Sequence, residues 1–460
     1  MDHKNNASLL SDIVSLIGSV VPFELGLNKK RDITRLLFEI SRRDGSDPAD
    51  ILKAIALDEI LAGDRGGIYD KLKARLIKLR YPSFAAGHEP RIFPVKVRET
   101  MEETPGWKGT FDPENIFVEK SVAHSDWVLR FTEKFPRARV VDIGTFKEGV
   151  SDFSGLNPVE RYDRRGKNIF LVRNKNAFIK VCPCTKGYKR CGYWILNMGF
   201  GCPIDCSYCF LQLYSNSPGI ILPANVDDYV GYVREFDRKV SGTTRVGTGE
   251  FADSLALDRY TGYSNILIPL FARTEKLVLE LKTKVSGIDL VLEHEPHEKV
   301  VLSWSVNSAS MAERFEKGGS PLSERIDAAE RAAKRGFRVG FHFDPVIYYR
   351  GWEDGYKETV ESIFSRRAIR EKAAWVSLGT LRYTPGLKES AEKRFDDNLL
   401  YYWGEFFEDT DGKMRYPVDL RVDIYRKMAG WLKSYKTAAW VYLCMEPEEV
   451  WGKVGVYDER

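Results

Sequence analysis

The sequence has no uninterrupted apolar run of about 18 residues, the length at which a helix can begin to span a bilayer, so nothing in it predicts a membrane segment. The apolar stretch from Leu9 to Phe23 is interrupted by polar residues, and no small-residue cleavage site follows it. We interpret it as a helix with one buried face and not as a secretion signal.

The chain also has little net charge. A formal charge of +4 over 460 residues neither requires nor excludes a nucleic-acid partner, because a small sum can conceal a basic groove. With 43% hydrophobic and 30% charged residues, the composition is ordinary for a soluble globular protein. The length allows a large enzyme with one core, or two or three domains.

Cysteines are few, and they are absent from most of the chain. Of the seven, six lie between Cys182 and Cys209, and Cys444 stands alone near the C-terminus. A disulfide framework would spread its bridges along the sequence, and chains of this length rarely need one. Crowded thiols without a secretion signal indicate metal chemistry in a reducing compartment, so we predict a cytoplasmic location.

Changes in pattern predict three regions. Residues 1–112 are predicted to form a helical extension and a linker, in which Ser46-Asp47-Pro48 signals a helix start. Residues 113–180 are predicted to form a small α/β lead-in. Its predicted elements are three strands and one helix, at Ile116 to Val118, Arg139 to Ile143, Asn168 to Val172 and Trp127 to Lys134.

Residues 181–460 alternate strand-like and helix-like patterns. Candidate strands are Tyr193 to Met198, Thr244 to Gly247, Leu277 to Leu281, Val300 to Ser305, Phe337 to Phe343, Trp375 to Gly379 and Ala439 to Leu443. A helix is predicted after a cap at Asn225, and another between Pro321 and Gly336. Six or seven strand–helix units predict an α/β fold, a full or partial β/α barrel with its active site at the carboxyl ends of the strands.

The first barrel strand is followed by three cysteines with the spacing C-x-x-x-C-x-x-C, at Cys202, Cys206 and Cys209. A 4Fe–4S cluster normally takes four cysteines, so three ligands leave one iron open to chelate the amino and carboxylate groups of a methionine-like ligand. The alternative is a zinc site or packed thiols, although zinc sites usually use paired C-x-x-C units. The spacing, Tyr208 before the last cysteine and the position after a first strand favour the radical S-adenosylmethionine superfamily, whose pattern this resembles.

Further motifs resemble the spore photoproduct lyase family in its broad sense. They appear in family order between about residues 113 and 447, in the segments Cys191 to Leu213, Asp253 to Asp258, Ser305 to Ser308, Gly340 to Pro345 and Gly351 to Glu353. The resemblance implies a partial β/α barrel and a 5′-deoxyadenosyl radical that abstracts hydrogen. The founding activity in this family splits a thymine dimer in DNA back into two thymines.

Two departures from that family are visible. The founding enzymes carry a cysteine that returns a hydrogen to the product radical, shortly before the segment matching Asp253 to Asp258. The corresponding stretch here, Gly247 to Ala252, has no thiol, and the tyrosine expected after the last cluster cysteine is Phe210. The resemblance therefore supports radical generation and leaves dimer repair an open question.

Other site residues are predicted by resemblance. A carboxylate after the second strand, here Glu250, receives the cofactor's ammonium group in much of the superfamily. Lys284, Ser305 and Asn307 end the third and fourth strands, where family members contact the cofactor's carboxylate and ribose. His342 is a further cofactor-binding candidate for a different reason: with Asp344 it follows the alternation of apolar residues in the fifth strand, Phe337 to Phe343, and is expected at the active-site end of that strand. A solvated loop glutamate, simple caps and a packed histidine bonded to Asp344 are the alternatives.

Tyr208 and Cys444 are the candidate catalytic residues. Cys444 should follow a last strand that runs parallel to the others, and so emerge on the active-site face. It is predicted either to donate a hydrogen in place of the missing thiol or to join Cys182, Cys184 and Cys191 in a second metal site. Simple burial of these four cysteines, or zinc binding, is the alternative.

Asp411-Gly412, between aromatic and basic residues, predicts a hairpin within Phe406 to Tyr416. Resemblance places the family's DNA-handling hairpin near here, so Lys413, Arg415 and Tyr416 are candidates to contact phosphate and stack on a base; a solvated hairpin tip is the alternative.

The leading hypothesis is a radical enzyme that acts on a nucleic-acid base or lesion, reduced by an external donor such as flavodoxin or ferredoxin. Two rivals stay open: a radical enzyme of small-molecule or peptide biosynthesis, and a non-catalytic iron–sulfur or zinc protein.

Overall fold

The computed structural model describes residues 6–62, 67–83, 90, 92–95, 110–175, 177–215 and 217–456. Most of the predicted linker at 81–112 lies outside these residues. No helix among the described segments is both long enough and apolar enough to cross a bilayer.

The first part of the chain is helical, as the sequence predicts. Its helices are α1 (Asn6–Val20), α2 (Leu27–Asp44), α3 (Pro48–Ala54), α4 (Leu57–Leu61) and α5 (Ile68–Arg80). The predicted start at Pro48 is confirmed, because the Asp47 side chain accepts a hydrogen bond from the Ala49 amide at 2.9 Å.

The lead-in contains the three predicted strands and the predicted helix. Its elements are β1 (Asn115–Glu119), α6 (Asp126–Glu133), β2 (Arg139–Ile143), α7 (Phe146–Ser151), α8 (Pro158–Asp163), a 3₁₀ turn (Arg164–Gly166) and β3 (Asn168–Val172). The strands form a parallel sheet in the order β2-β1-β3, which β7 (Ile220–Pro223) extends at the β3 edge. Phe117 and Phe170 stack in its core at 4.7 Å between ring centroids.

The barrel strands match the predicted ones closely. The chain continues with β4 (Ile179–Val181), β5 (Trp194–Leu196), β6 (Asp205–Cys206), β8 (Thr244–Gly247), β9 (Leu277–Thr283), β10 (Val300–Ser305), β11 (Glu316–Lys317), β12 (Arg338–Val346), β13 (Ala373–Thr380), β14 (Arg382–Tyr383), β15 (Phe407–Glu408), β16 (Met414–Arg415) and β17 (Trp440–Leu443). Eight of them form one sheet in the order β17-β13-β12-β10-β9-β8-β5-β4, parallel except for the β4–β5 pair. This sheet confirms the partial barrel.

Helices lie between these strands. They are α9 (Leu211–Tyr214), α10 (Val226–Lys239), α11 (Asp258–Thr261), α12 (Tyr263–Ala272), α13 (Asp289–Leu292), α14 (Ala309–Phe315), α15 (Leu322–Arg335), α16 (Trp352–Phe364), α17 (Arg367–Lys372), α18 (Pro385–Arg394), α19 (Leu400–Trp403), α20 (Val418–Ser434) and α21 (Glu448–Val454). The stop at Gly336 is confirmed by its left-handed φ of 115°. The helix α10 begins after Asn225 as predicted, but the capping mechanism is wrong. The Asn225 Oδ1 accepts from the Asn174 amide and not from a helix amide, and its Nδ2 donates to the Asn174 carbonyl and to the Asp228 side chain in the first turn.

Contacts divide the chain into two units. One comprises Met1–Glu103, Ile347–Arg350 and Arg382–Pro417, and the other comprises Thr104–Val346, Gly351–Leu381 and Val418–Arg460. The first unit thus combines the N-terminal helices with a segment from far along the chain. The predicted boundaries at residues 112 and 180 follow the linear sequence and stay a prediction.

The first unit has charged groups in its core. The buried Glu39 carboxylate accepts from Arg35 at 2.6 Å, from Arg80 at 2.9 Å and from Lys388 at 2.6 Å. Burial alone would raise the pKa of Glu39, but Lys388, Arg35 and Arg80 outweigh it and hold the pKa well below the ordinary value. These ion pairs join α2 and α5 to α18.

The predicted hairpin is confirmed. Two of the side chains predicted to bind nucleic acid, those of Arg415 and Tyr416, are instead engaged in contacts within the protein. Strands β15 and β16 pair antiparallel around Gly412. Arg415 is 2% exposed and binds Asp411 in bidentate fashion at 2.6 and 2.9 Å. Tyr416 is buried against Phe406, with ring centroids 4.5 Å apart. Internal packing therefore occupies Arg415 and Tyr416.

Candidate active site

The loop with the three predicted cluster cysteines begins at a glycine that the backbone requires. Gly201 has a φ of 104°, in the left-handed region that favours glycine. Its amide donates to the Phe251 carbonyl at 2.9 Å. Residues 202–209 follow this turn, on the carboxyl side of β5 in the chain.

Contacts to the backbone and to Asp205 hold this loop in place, and none of them involves its three thiols. Arg165 bonds the Cys202 carbonyl at 3.1 Å and pairs with Asp205 at 2.7 Å. Gln212 donates to the carbonyls of Cys206 and Ser207, both at 3.1 Å. Strand β6, inside the loop, also pairs with β11.

The thiols of Cys202, Cys206 and Cys209 form no disulfide. Burial raises the pKa of all three, that of Cys202 to about 12. Buried thiols become thiolates readily only when a cation compensates the charge, as bound iron does. The donor set therefore fits a cluster with three protein ligands.

A single zinc ion fits less well. No three His, Cys, Asp or Glu side chains in the described part of the chain are placed to hold one metal ion. A cubane cluster does not need such convergence, because each cysteine binds a different iron.

Tyr208 is held within the loop by a buried network. Its hydroxyl donates to Glu316 Oε1, and Glu316 Oε2 pairs with Arg325 Nη1 at 2.5 Å. Arg325 Nη1 also donates to the Ser305 carbonyl at 3.0 Å. Burial raises the pKa of Tyr208, and the adjacent Glu316 raises it further. The network shows Tyr208 as a residue that positions the loop, and a direct catalytic role stays a prediction.

Lys284 lies beside the same loop, one residue beyond β9. Its ammonium nitrogen is 5.9 Å from the centroid of the Tyr208 ring. Burial alone would lower the pKa of Lys284, but Glu316 and Cys206 outweigh it and raise the pKa. A cation is therefore maintained next to the cluster cysteines.

Asp253, for which the sequence suggested no role, anchors the neighbouring loop. One oxygen accepts from the Thr283 hydroxyl at 2.6 Å and from the amides of Leu255 and Ala256 at 3.0 and 2.9 Å. The other accepts from the Lys284 amide at 2.7 Å. The Asp253 to Asp258 motif thus joins the loop after β8 to the end of β9.

Glu250 is half-buried in that loop. A hydrogen bond with Cys184 is the largest cause of the raised pKa of Cys182, and burial is the largest cause for Tyr193. The charge of Glu250 helps to raise both pKa values. The structure thus brings Glu250 close to the upstream cysteines. Its predicted contact with the cofactor's ammonium group stays a prediction.

Ser305 ends β10 as predicted, and Asn307 follows it, but the Asn307 amide is engaged within the protein. It accepts from the Tyr356 hydroxyl and, at 3.1 Å, from the Ser308 amide, and it donates to the Pro345 carbonyl at 3.3 Å. Asn307 is 1% exposed. These contacts support a positioning role, and cofactor binding by Ser305 and Asn307 stays a prediction.

His342 lies in the middle of β12, because the strand continues to Val346. Its Nε2 is 2.7 Å from Glu280 Oε1, so its ring bonds Glu280 and not Asp344 in the described residues. Burial lowers the pKa of His342 and outweighs the opposing effect of Glu280. Its predicted role in cofactor binding stays a prediction.

Glu280 is the centre of a buried polar group that the sequence analysis missed. Its Oε1 also accepts from the Ser303 hydroxyl at 2.6 Å and from the Trp375 indole at 2.8 Å, and Arg245 lies 3.8 Å from Oε2. Burial alone would raise the pKa of Glu280, but His342 and Arg245 with these hydrogen bonds hold it far below the ordinary value. The available signal was a glutamate among apolar residues, since Leu277, Val278 and Leu279 precede it and Leu281 follows it in β9.

Cys444 follows β17, which runs parallel to β13 as predicted. Its amide donates to the Leu378 carbonyl at 2.7 Å, and its side chain is half-buried. Its charge contributes to the pKa of Cys182. The structure thus brings Cys444 toward the upstream cysteines, while its role as a hydrogen donor stays a prediction.

Comparison with known proteins gives a consistent result. The spore photoproduct lyase family model matches residues 111–413. Spore photoproduct lyase of Bacillus subtilis (strain 168) is 24% identical over 310 residues, which cover 64% of this chain and 88% of the relative. The enzyme of the same name from Geobacillus sp. (strain Y412MC61) is 26% identical, covering 64% and 89%.

Solved structures show the same fold. Spore photoproduct lyase complexed with dinucleoside spore photoproduct superposes with a TM-score of 0.63 at 20% identity, covering 72% of this chain and 99% of that one. A double mutant of spore photoproduct lyase with bound AdoMet and dinucleoside spore photoproduct gives the same values.

Proposed function

The chain belongs to the spore photoproduct lyase family, whose members are radical S-adenosylmethionine enzymes with a 4Fe–4S cluster, and from this premise we propose that it generates a 5′-deoxyadenosyl radical that acts on a base in nucleic acid. The observation that carries the proposal is the loop of Cys202, Cys206 and Cys209, whose backbone is tied down while its thiols form no disulfide.

In this proposal the thiolates of Cys202, Cys206 and Cys209 would hold the cluster, which when bound would supply the electron for reductive cleavage of S-adenosylmethionine. The protein positions the loop through Arg165, Gln212 and the Tyr208–Glu316 pair. Lys284 places a positive charge beside the cluster cysteines, where it offsets thiolate charge. Asp253 fixes the adjacent loop against β9, so that Glu250 extends from an anchored backbone.

A nucleic-acid substrate is supported by the relatives, since two of the related solved structures contain dinucleoside spore photoproduct. We infer that an external one-electron donor, such as flavodoxin or ferredoxin, reduces the cluster. The seven cysteines are all thiols, which supports the prediction of a reducing, cytoplasmic location.

The test is anaerobic reconstitution with iron and sulfide, followed by S-adenosylmethionine and dithionite. We expect 5′-deoxyadenosine to form, and DNA or RNA to bind with an affinity that falls as salt rises. Absence of 5′-deoxyadenosine from a protein with a full cluster would contradict the radical chemistry. Formation of 5′-deoxyadenosine without binding to either nucleic acid would contradict the substrate class.

We predict poor repair of the spore thymine dimer by the wild-type protein. The stretch from Gly247 to Ala252 has no thiol to return a hydrogen to the product radical. The measurement is chromatographic quantification of the dinucleoside with two restored thymines, formed from a dinucleoside dimer, relative to 5′-deoxyadenosine formed. Clean repair at one thymine pair per productive turnover would show the prediction to be wrong.

A matched pair of variants sharpens this prediction. A Cβ at Gly247 would lie 2.0 Å from the Tyr193 hydroxyl, and at Gly249 it would lie 2.8 Å from Lys282 Cβ. The half-buried Glu250, directly after these restricted positions, is the place for a new side chain. Glu250→Cys should raise the yield of repaired thymine above that of Glu250→Ser, because the variants differ only in the thiol. Both variants also lack the carboxylate predicted to bind the cofactor's ammonium group, so repair is compared per 5′-deoxyadenosine formed. Equal ratios in the two variants would exclude the missing donor as the cause.

A further inference from the structure

Four cysteines lie outside the radical-cluster loop, and the fold gathers them. Cys182 and Cys184 follow β4, Cys191 precedes β5, and Cys444 follows β17. Strands β4 and β17 form opposite edges of the eight-stranded sheet. The sheet therefore has to curl for cysteines from its two edges to approach one another.

Direct contacts show that the two edges meet. The Lys189 amide, in the loop between β4 and β5, donates to the Glu446 carbonyl beyond β17 at 3.3 Å. The Cys182 and Cys184 side chains are hydrogen-bonded to each other, and the charge of Cys444 acts on Cys182. Cys184 acts in the same way on Cys191.

Backbone hydrogen bonds stabilise the loop between β4 and β5. The Cys182 amide donates to the Tyr193 carbonyl at 3.0 Å, and the Cys184 amide donates to the Cys182 carbonyl at 2.8 Å. Gly187 and Gly192 have φ values of 83° and 73°, in the left-handed region that favours glycine at turns. The turn places Cys182 and Cys184 on one arm and Cys191 on the other.

A buried cation faces these thiols. Arg245 Nη2 donates to Cys191 Sγ at 3.3 Å, and the Arg245 side chain is only 10% exposed. Its guanidinium lies 4.8 to 5.9 Å from the ring centroids of four aromatic residues, Tyr193, Trp375, Trp440 and Tyr442. Its Nε and Nη1 have no hydrogen-bond acceptor among the described residues. A guanidinium so placed offsets negative charge on sulfur ligands and donates to them.

We propose that Cys182, Cys184, Cys191 and Cys444 hold a second iron–sulfur cluster. Four cysteines are the normal ligand set of both 2Fe–2S and 4Fe–4S clusters. The hydrogen-bonded Cys182–Cys184 pair is close enough to share one iron of a 2Fe–2S cluster, with the other two cysteines on the second iron.

Two other uses of the thiols fit less well. A single zinc ion would need at least three convergent donors, which the described residues do not provide here. Simple packing would leave the thiols fully buried among apolar side chains, yet all four are partly exposed. The assignment does not depend on the radical cluster or on the substrate.

The experiment counts metal in a protein from which the radical cluster has been removed. A Cys202→Ala/Cys206→Ala/Cys209→Ala variant is purified anaerobically, reconstituted, and assayed for iron, acid-labile sulfide, zinc and absorbance near the sulfur-to-iron charge-transfer bands. We expect two or four iron atoms per chain with matching sulfide, as for one Cys-ligated cluster. Adding Cys182→Ala or Cys191→Ala should remove this iron. Adding Lys186→Ala, an exposed position in the same loop, should leave it unchanged.

Two outcomes with the folded triple variant would overturn the proposal. Zinc in place of iron, or a folded triple variant with no metal after reconstitution, contradicts it. If the triple variant fails to fold, iron is counted in otherwise wild-type protein with and without Cys182→Ala/Cys184→Ala. The double variant should then lose two or four iron atoms and still form 5′-deoxyadenosine, whereas equal iron content refutes the second cluster.

Discussion

Replacing any one of Cys202, Cys206 and Cys209 with alanine should abolish cleavage of S-adenosylmethionine. Each change removes one of only three thiolate anchors, and hydrogen bonds hold the loop backbone so that no other residue can replace the lost thiol. The measurement is 5′-deoxyadenosine formed per chain after reconstitution, together with the cluster's electron paramagnetic resonance signal. We expect product at the background of the protein-free reaction.

The matched control for these variants is Tyr214→Ala, in the short helix α9 directly after the loop. Tyr214 is 60% exposed, so its removal should leave the cluster and product yield near wild type. A normal cluster signal and normal product in any one cysteine variant would refute that ligand assignment. Loss of both in the Tyr214 control would indicate that the loop is simply sensitive to substitution.

Replacing Glu280 with leucine should strongly destabilise the barrel. The carboxylate is fully buried, accepts three hydrogen bonds and is the anion opposite Arg245. Removing one partner of a buried ion pair costs about 3–5 kcal/mol, because the other charge is left uncompensated. Domains are stable by only about 5–15 kcal/mol, so much of the variant could fail to fold at 37 °C. Urea unfolding followed by circular dichroism measures the change.

Two further variants separate charge from hydrogen bonding. Glu280→Gln keeps an acceptor oxygen but removes the charge. Its free energy of unfolding should therefore lie between those of Glu280→Leu and the wild type. Glu371→Ala breaks an exposed ion pair with Arg367 in α17 and should leave the unfolding midpoint unchanged. If Glu280→Leu unfolds at the wild-type urea concentration, the buried group does not stabilise the barrel.

Local patterns were sufficient to predict most of the barrel. Buried parallel strands are rich in apolar residues, so Val300–Ser305 could be identified with its exact limits. The limits of Thr244–Gly247 were also predicted correctly, although this strand is not an apolar run. The cysteine loop could be located because its spacing is itself local. The Asp411-Gly412 turn is likewise encoded by adjacent residues, and the hairpin that it predicts is present.

What could not be predicted depends on pairs of residues distant in sequence. The exposure of Arg415 and Tyr416 was predicted wrongly, because tertiary packing and not the turn determines their burial. Tyr208 bonds Glu316, 108 residues away, and this separation gives no periodic signal. Likewise the gathering of Cys182 and Cys444 depends on the curl of a whole sheet, which no local pattern encodes.

The first unit combines segments that are distant in sequence, and this affects how it folds during synthesis. Glu39 and its buried partner Lys388 are 349 residues apart. At about 5–20 residues per second, a ribosome needs roughly 20 to 70 seconds to synthesise the intervening chain. During that interval helices α1 to α5 have emerged without the segment that completes their core. A nascent chain released early would therefore expose this unfinished core, and the first unit can reach its final packing only when most of the polypeptide has been translated.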